Sequence, residues 1–340
     1  MDGKYWSRIL ATMGALTVLA GMGATQTATA AQPETVSHGM AIRDGHATTA
    51  APTRRTTNLS YHGGQVSVAP KVYIVYWGSQ WGSAGGGGLP TQDPSGVASV
   101  QTSFFQHLYG AGDAWSNSTT QYCEGVATGT TQCGTSGTHV GHPSSSPLAG
   151  SWVDNTVTTP ATPSSADITA EAQRAAAHFG DYSNGVQYIV DSPHGVIPQG
   201  FAAGAGGTYC AWHDSTVASG GTIAYTNMPY MPDAAASCGA GFVATGGSGV
   251  NSATEGVTIV GGHEYAETVT DQWPSTQLAW VDSRGAENGD KCAWISSGQG
   301  ASAIVNLNGA SFAVQSLWSN NFNNGAGGCV VSYTSATNQH

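Results

Sequence analysis

The sequence predicts an α+β (mixed α/β) fold: a single disulfide-braced domain with a mixed sheet and a central buried motif helix. Three observations lead to this prediction. Short β-branched and aromatic runs alternate along the chain with helical patterns. The helical pattern around His263 is flanked by apolar residues, so that this helix is expected to be buried. Six cysteines follow an N-terminal leader, and an even number in an exported chain indicates disulfides.

The individual elements follow from apolar periodicity and turn residues. The run 71–77 is apolar on both faces and predicts a central strand. One amphipathic helix is expected from Pro94 to Gly110, and a second after Ser164 or Ser165, ending at Gly180. The motif helix is expected to start near Asn251 or Ser252. Further strands are expected at 186–190, 209–213, 221–226, 303–307, 312–317 and 330–333.

The N-terminus predicts export of the chain. Residues 1–30 combine a basic start, an apolar run and a small-residue end at Ala28-Thr29-Ala30, which is typical of a secretory signal peptide. The apolar run is shorter than the roughly twenty residues that span a bilayer. Residues 31–57 are rich in Ala, Thr and Pro and are expected to form a disordered linker or short pro-segment. Residues 58–335 are expected to form the metal-binding, catalytic domain. We therefore expect a secreted, extracellular protein with no membrane anchor after cleavage.

Cysteines and charge restrict the partners. Proximity in sequence suggests the pairs Cys123–Cys133, Cys210–Cys238 and Cys292–Cys329, which is one of the fifteen pairings that six cysteines allow. The formal net charge is −11, and only 9% of the residues are charged. This acidic balance argues against nucleic acid or an anionic membrane as a partner.

The segment 261–271 carries the pattern that predicts chemistry. On a helix His263, Glu267 and Asp271 share one face, with Glu264 one residue away. Buried acids so close together repel one another unless a cation lies among them; the alternative is a solvated acidic face. His-Glu-x-x-Glu at 263–267 is one ligand away from the His-Glu-x-x-His of zinc peptidases, where residues four apart bind one ion and the intervening glutamate is the general base.

A second acidic group follows the motif, and with it the sequence resembles the gluzincin, thermolysin-like metallopeptidases. The group consists of Asp282, Glu287 and Asp290. The resemblance implies a zinc ion held by His263, Glu267 and Glu287, with Glu264 as general base and Asp290 as the acid that orients the histidine. It covers only this short region of the chain.

This chain departs from the gluzincin pattern in two ways. Glu267 stands where the family has a second histidine, so a zinc ion would be a poorer Lewis acid here. Asn288-Gly289 favours a turn over a helix, which leaves Asp290 or Asp282 as alternative third ligands. His213 is expected to stabilise an oxyanion or to act as an acid; the alternative is a packed strand histidine.

The wider chain resembles the Exordium, or phosphate-induced, family of secreted cell-wall proteins. The resemblance starts at Tyr61-His62-Gly63-Gly64 and the strand 72–78, and includes Tyr-Cys-Ala-Trp-His at 209–213. It implies an extracellular scaffold and is compatible with a metal site built on it.

Two functions from different classes follow from these patterns. The first is a secreted zinc peptidase that acts on a peptide or protein substrate. The second is a non-catalytic protein associated with cell-wall polysaccharide, whose acids hold a structural calcium ion, since calcium takes six to eight oxygen ligands. A glycosidase that uses Glu264 with Glu267 or Glu287 as paired carboxylates is a third reading.

Overall fold

The computed structural model describes residues 38–43, 57–244 and 248–333. The predicted signal peptide and most of the predicted linker lie outside these ranges. All the described residues belong to one compact unit, Pro33–His340. No helix within the described ranges combines the length and the apolar character needed to cross a membrane.

Short strands and a few helices make up the described part of the chain. The strands are β1 (Ser60–Tyr61), β2 (Lys71–Trp77), β3 (Cys123–Glu124), β4 (Thr138–His139), β5 (Leu148–Asp154), β6 (Val186–Asp191), β7 (Trp212–Ala218), β8 (Gly221–Met228), β9 (Trp280–Val281), β10 (Ala303–Leu307), β11 (Ala310–Val314), β12 (Leu317–Ser319) and β13 (Gly328–Val330). The helices are α1 (Val97–His107), α2 (Ser165–Phe179), α3 (Met231–Ala234), α4 (Glu255–Thr270) and α5 (Phe322–Gly325). Short 3-10 helices occur at Ser79–Trp81, Gly86–Gly88, Ser116–Gln121, Ala235–Cys238 and Asp290–Cys292.

The largest sheet is mixed and has the strand order β5-β2-β6-β8-β7. Strand β2 pairs in parallel with β5 and β6, and β6 pairs in parallel with β8. At the edge, β7 runs antiparallel to β8. The predicted α+β fold with a mixed sheet and disulfides is confirmed, and the central strand predicted at 71–77 is β2 with the same bounds.

Helices cover both faces of this sheet. Tyr73 of β2 stacks on Phe179 of α2 with ring centroids 4.2 Å apart. Tyr76 of the same strand shares a hydrogen bond of 2.9 Å with Thr102 of α1. Because side chains alternate between the two faces of a strand, α1 and α2 lie on opposite faces. Helix α4 packs beside α1, where the rings of Phe105 and Tyr265 make an edge contact at 5.3 Å between centroids.

Helix α4, which carries the motif, is the most deeply buried helix of the described residues. Every one of its residues is buried. Gly262 explains how its neighbours approach so closely, since a Cβ at this position would lie 3.1 Å from the ring of Trp115 and 3.3 Å from that of Phe104. A helix buried on all sides has no solvated face on which unpaired charges could rest, so its polar side chains need partners inside the protein.

The boundaries of several elements differ from the predictions. Helix α4 starts at Glu255 and not near 251. Strand β7 starts at Trp212, because Tyr209 instead forms single bridges with Ala41 and Phe201. Helix α2 has the expected ends: Ser164 forms a capping box, and Gly180 ends the helix with φ 67°. The disulfides are Cys123–Cys133, Cys210–Cys238 and Cys292–Cys329, the pairs that sequence proximity suggested.

Candidate metal centre

The motif segment of α4 meets three other parts of the chain at one buried group of ionisable side chains. Five carboxylates form what we call the acidic cluster: Glu264, Glu267 and Asp271 of α4 or its C-terminal end, and Glu287 and Asp290 of the segment after β9. Three imidazoles lie among them: His38, His213 of β7 and His263 of α4. The first four carboxylates are buried, and the Asp290 side chain is 25% exposed.

Hydrogen bonds hold the segment after β9 against α4. The backbone N–H of Asp290 donates to Oε1 of Glu267 at 2.8 Å. The side-chain amide of Asn288 donates to the carbonyl of Ala266 at 2.8 Å. These bonds place Glu287 and Asp290 beside the histidine-bearing helix, although that helix ends at Thr270, well before them in sequence.

His263 presents one bare nitrogen to two carboxylates. Its Nε2 lies 3.1 Å from Oε2 of Glu267 and 3.9 Å from Oδ1 of Asp290. Its Nδ1 lies 3.1 Å from Oε1 of Gln315, whose Nε2 donates to the carbonyls of Gly289 and Ser316. The Gln315 oxygen is therefore an acceptor and places the imidazole proton on Nδ1. In the neutral ring, the lone pair of Nε2 faces the carboxylates.

His213 lies on the other side of Glu267 and has carboxylates at both ring nitrogens. Its Nδ1 lies 3.1 Å from Oε2 of Glu264 and 3.6 Å from Oε2 of Glu267. Its Nε2 lies 3.5 Å from Oε1 of Glu287. The ring is buried, and the carboxylates of Glu264, Glu267 and Glu287 surround it. His38 lies next to this half of the site, and its Nδ1 is 3.3 Å from Oε2 of Glu287.

The charges of the site do not balance within the described residues. Even three imidazolium charges would leave two of the five carboxylate charges uncompensated. Five atoms that point into the site are buried and make no aligned hydrogen bond to the rest of the described chain. They are Nε2 of His213, Nε2 of His263, Oε2 of Glu267, Oδ2 of Asp271 and Oε1 of Glu287. Bare buried atoms of this kind are costly unless a cation or protons lie between them.

The pKa values of several side chains in the cluster are shifted by burial and by this excess of negative charge. Burial, followed by the charge of Glu287, raises the pKa of Asp271 to about 8. Burial and the nearby Glu267 carboxylate raise the pKa of Asp290 to about 7. Burial disfavours the imidazolium of His263, but the adjacent Glu267 outweighs it and raises the pKa of His263 to about 10. Burial also opposes ionisation of Glu287, yet the charge of His213 lowers the pKa of this acid to about 2.

Residues 38–43 lie across the cluster, and we call them the covering segment. The backbone N–H of Met40 donates to Oε1 of Glu264 at 3.1 Å, so both oxygens of this glutamate are engaged. The carbonyl of Met40 accepts from the N–H of Cys210 at 2.8 Å, and that of His38 accepts from the N–H of His213 at 3.0 Å. His38 and Met40, both from the predicted linker, are therefore part of the site, and Met40 is fully buried.

The structure groups the predicted site residues differently from the sequence-based prediction. Asp290 accompanies His263, whereas Glu287 accompanies His213, so the two acids occupy different halves of the site. Asp282 lies outside it, because its Oδ2 pairs with Nζ of Lys291 at 3.1 Å. Sequence reasoning missed His38 and Gln315. Neither belongs to a motif, and no signal in the sequence links either residue to the helix.

Gly289 lies so close to His263 and Glu267, two of the three candidate ligands of the first half, that it provides a direct test of the site. A Cβ at this position would lie 2.7 Å from Nδ1 of His263 and 2.9 Å from Oε1 of Glu267. Its φ of −75° suits any residue, so the only obstacle to alanine is the site itself. We expect Gly289→Ala to lower zinc affinity by at least ~10-fold, the size of effect seen when groups that orient metal ligands are lost. Titration against a chromogenic chelator measures it, with Gly86→Ala as the control, since nothing lies within 4 Å of a Cβ there.

Comparison with known protein families, curated proteins and solved structures found no match for this chain. The two family resemblances therefore stay predictions, and the chemistry of the site has to be judged from its own donors. Two groups of residues have donor atoms that all lie within 4.8 Å of one another: His213, Glu267 and Glu287, and His263, Glu267 and Asp290. One nitrogen with two carboxylate oxygens suits zinc or another first-row transition metal, whereas calcium prefers oxygen alone. The bare buried atoms and the excess negative charge fit such an ion.

Proposed function

We propose that this chain is a secreted metal-dependent hydrolase, a peptidase that acts on a peptide or protein substrate outside the cell. The observation that carries this proposal is the imidazole of His263, whose proton is held on Nδ1 while its bare Nε2 meets Glu267 and Asp290. These three residues would hold the ion. A bound zinc ion supplies Lewis-acid polarisation of a carbonyl and lowers the pKa of water.

Glu264 would move the protons of the reaction, and His213 would hold its carboxylate in place. They form a hydrogen-bonded carboxylate–imidazole pair at 3.1 Å, next to Glu267. A carboxylate positioned in this way can accept a proton from water and return it to a leaving amine. In the structure the N–H of Met40 occupies Oε1 of Glu264, so this oxygen becomes available only when the covering segment moves. We therefore interpret the structure as a latent form of the proposed hydrolase, in which the covering segment lies over Glu264.

A second candidate is a non-catalytic extracellular protein with a structural ion, such as calcium. The burial of four of the five carboxylates favours it, because a structural site does not need access for a substrate. The two histidines within the metal-ligand groups count against it, because calcium sites are built from oxygen ligands. Elemental analysis of the purified secreted protein separates the two candidates, since zinc supports the hydrolase and calcium supports the structural protein.

The decisive experiment combines metal content with proteolysis. We expect Glu264→Gln to keep its bound metal but to lose casein hydrolysis by about 10²- to 10⁴-fold, because a general base is removed. Chelation should abolish the activity of the wild type, and zinc should restore it. Glu124→Gln is the matched control: this half-buried glutamate lies on β3, where it accepts from the backbone N–H of Val66 at 2.9 Å. Full activity in Glu264→Gln, or activity that survives chelation, would contradict the proposal.

A further inference from the structure

We infer that the site holds two divalent transition-metal ions, with Glu267 as the ligand shared between them. The inference deepens the proposed function and rests on it in one respect, which is that the acidic cluster binds metal at all. The second ion would be held by His213, Glu267 and Glu287, in addition to the ion at His263, Glu267 and Asp290.

The two histidines have matching surroundings. In each, Nδ1 faces an acceptor that fixes the ring: Oε1 of Gln315 at 3.1 Å for His263, and Oε2 of Glu264 at 3.1 Å for His213. In each, Nε2 is buried, makes no aligned hydrogen bond within the described chain, and points at carboxylates. A histidine held through one nitrogen while the other is bare is the arrangement that metal-binding histidines show. This arrangement occurs at both His263 and His213.

Glu267 lies between the two imidazoles. Its Oε1 is held by the N–H of Asp290 at 2.8 Å, so this oxygen is already engaged. Its Oε2 makes no aligned hydrogen bond to the described residues, and it lies 3.1 Å from Nε2 of His263 and 3.6 Å from Nδ1 of His213. One carboxylate oxygen thus lies between the two imidazoles, on the Nε2 side of His263 and on the Nδ1 side of His213. A carboxylate in this position can serve as a ligand to an ion on either side.

The second group has its own unpartnered donors. Oε1 of Glu287 is buried and bare, and it lies 3.5 Å from the bare Nε2 of His213. The other oxygen of Glu287 contacts His38 at 3.3 Å, which orients the carboxylate. A single ion at the His263 group would leave only a proton on the imidazole between these two atoms.

The charge of the cluster also supports two ions. With neutral imidazoles, five carboxylates carry five negative charges, and one divalent ion would leave three of them. Two divalent ions would leave one, which a charged His38 at the edge of the site can balance. Paired ions in hydrolases position the attacking and leaving oxygen atoms of an ester, amide or phosphoester, so this is the class of substrate that such a site would take.

Metal stoichiometry tests the inference. The full secreted chain is loaded with zinc, dialysed and measured by inductively coupled plasma mass spectrometry. We expect two ions per chain in the wild type, one in His213→Gln, one in His263→Gln and fewer than one in Glu267→Gln. His178→Gln is the control and should keep two, because His178 lies on α2, on the opposite face of the sheet.

Manganese gives a second readout on the unaltered chain, which does not depend on the variants folding. Two Mn²⁺ ions that share one carboxylate should give the exchange-coupled electron paramagnetic resonance spectrum of a pair. One zinc per chain in the wild type, with an uncoupled manganese signal, would overturn the inference and leave the proposed function standing. No bound ion in the wild type would overturn both.

Discussion

Replacing Gly39 by alanine is expected to displace the covering segment and to open the acidic cluster to solvent. A Cβ at this position would lie 2.6 Å from the carbonyl oxygen of Ala211 and 2.6 Å from Cβ of Trp212. Both atoms belong to or precede strand β7, which is paired along its length with β8 and cannot give way at low cost. The covering segment must therefore move, and the bond from the N–H of Met40 to Glu264 is lost with it.

The rate at which a chelator removes zinc from the loaded protein measures this opening. Loss of several hydrogen bonds, each contributing about 1 kcal/mol, should accelerate removal by at least ~10-fold in Gly39→Ala, and casein hydrolysis should rise with it. Gly86→Ala is the control, because the alanine meets nothing within 4 Å. Unchanged chelation kinetics in a folded Gly39→Ala protein would mean that the covering segment does not control access.

The second large effect is a pH dependence of stability that metal reverses. In the metal-free chain, burial first and Glu287 second raise the pKa of Asp271 from 3.8 to about 8. Glu267 outweighs the effect of burial on His263 and raises its pKa from 6.5 to about 10. Between pH 3.8 and about 8 for Asp271, and between pH 6.5 and about 10 for His263, the folded state keeps a proton that the unfolded state has lost. The free energy of unfolding therefore falls as the pH rises, by about 1.4 kcal/mol per pH unit for each such proton.

We expect the Tm of the metal-free protein to fall by roughly 3–5 °C per pH unit between pH 5.5 and 8.5. The zinc-loaded protein should show the opposite trend, because zinc has to displace these protons and binds more tightly as the pH rises. Scanning calorimetry with and without zinc measures the gap between the two curves, which should widen with pH.

Asp271→Asn provides the internal control for this pH dependence. Asparagine keeps the oxygen that accepts from the N–H of Ala279 at 2.9 Å but removes the ionisable group. The metal-free variant should be more stable than the wild type at pH 8.5, and its Tm should depend less on pH. A metal-free wild type whose Tm is flat or rises over this range would show that the cluster is already neutralised without metal.

The parts of the fold that could be predicted from sequence are those with local causes. Strand β2 was predicted because a continuous apolar run suits a strand buried on both faces. Helix α2 was predicted because Ser164 and Gly180 fix its two ends. The pairing of His263 with Glu267 likewise follows from helix geometry alone, since residues four apart share a face.

The rest of the site depends on the path of the chain in space. The turn at Gly289 decides whether Glu287 or Asp290 accompanies His263. This turn is bonded to Gln315 and to the 3-10 helix that follows it, and no sequence pattern specifies these bonds. His38 could not be assigned to the site for the same reason, because it lies in a stretch whose composition indicates only a linker.

The disulfide Cys292–Cys329 begins two residues after Asp290 and anchors the C-terminal end of the short segment that carries both downstream acids. Disulfides of this kind form in oxidising compartments and not in a reducing cytosol. The complete set of ligands should therefore come together only after the thiols are oxidised. Metal loading would then be timed by redox environment, and the ions would be drawn from the pool present where oxidation takes place.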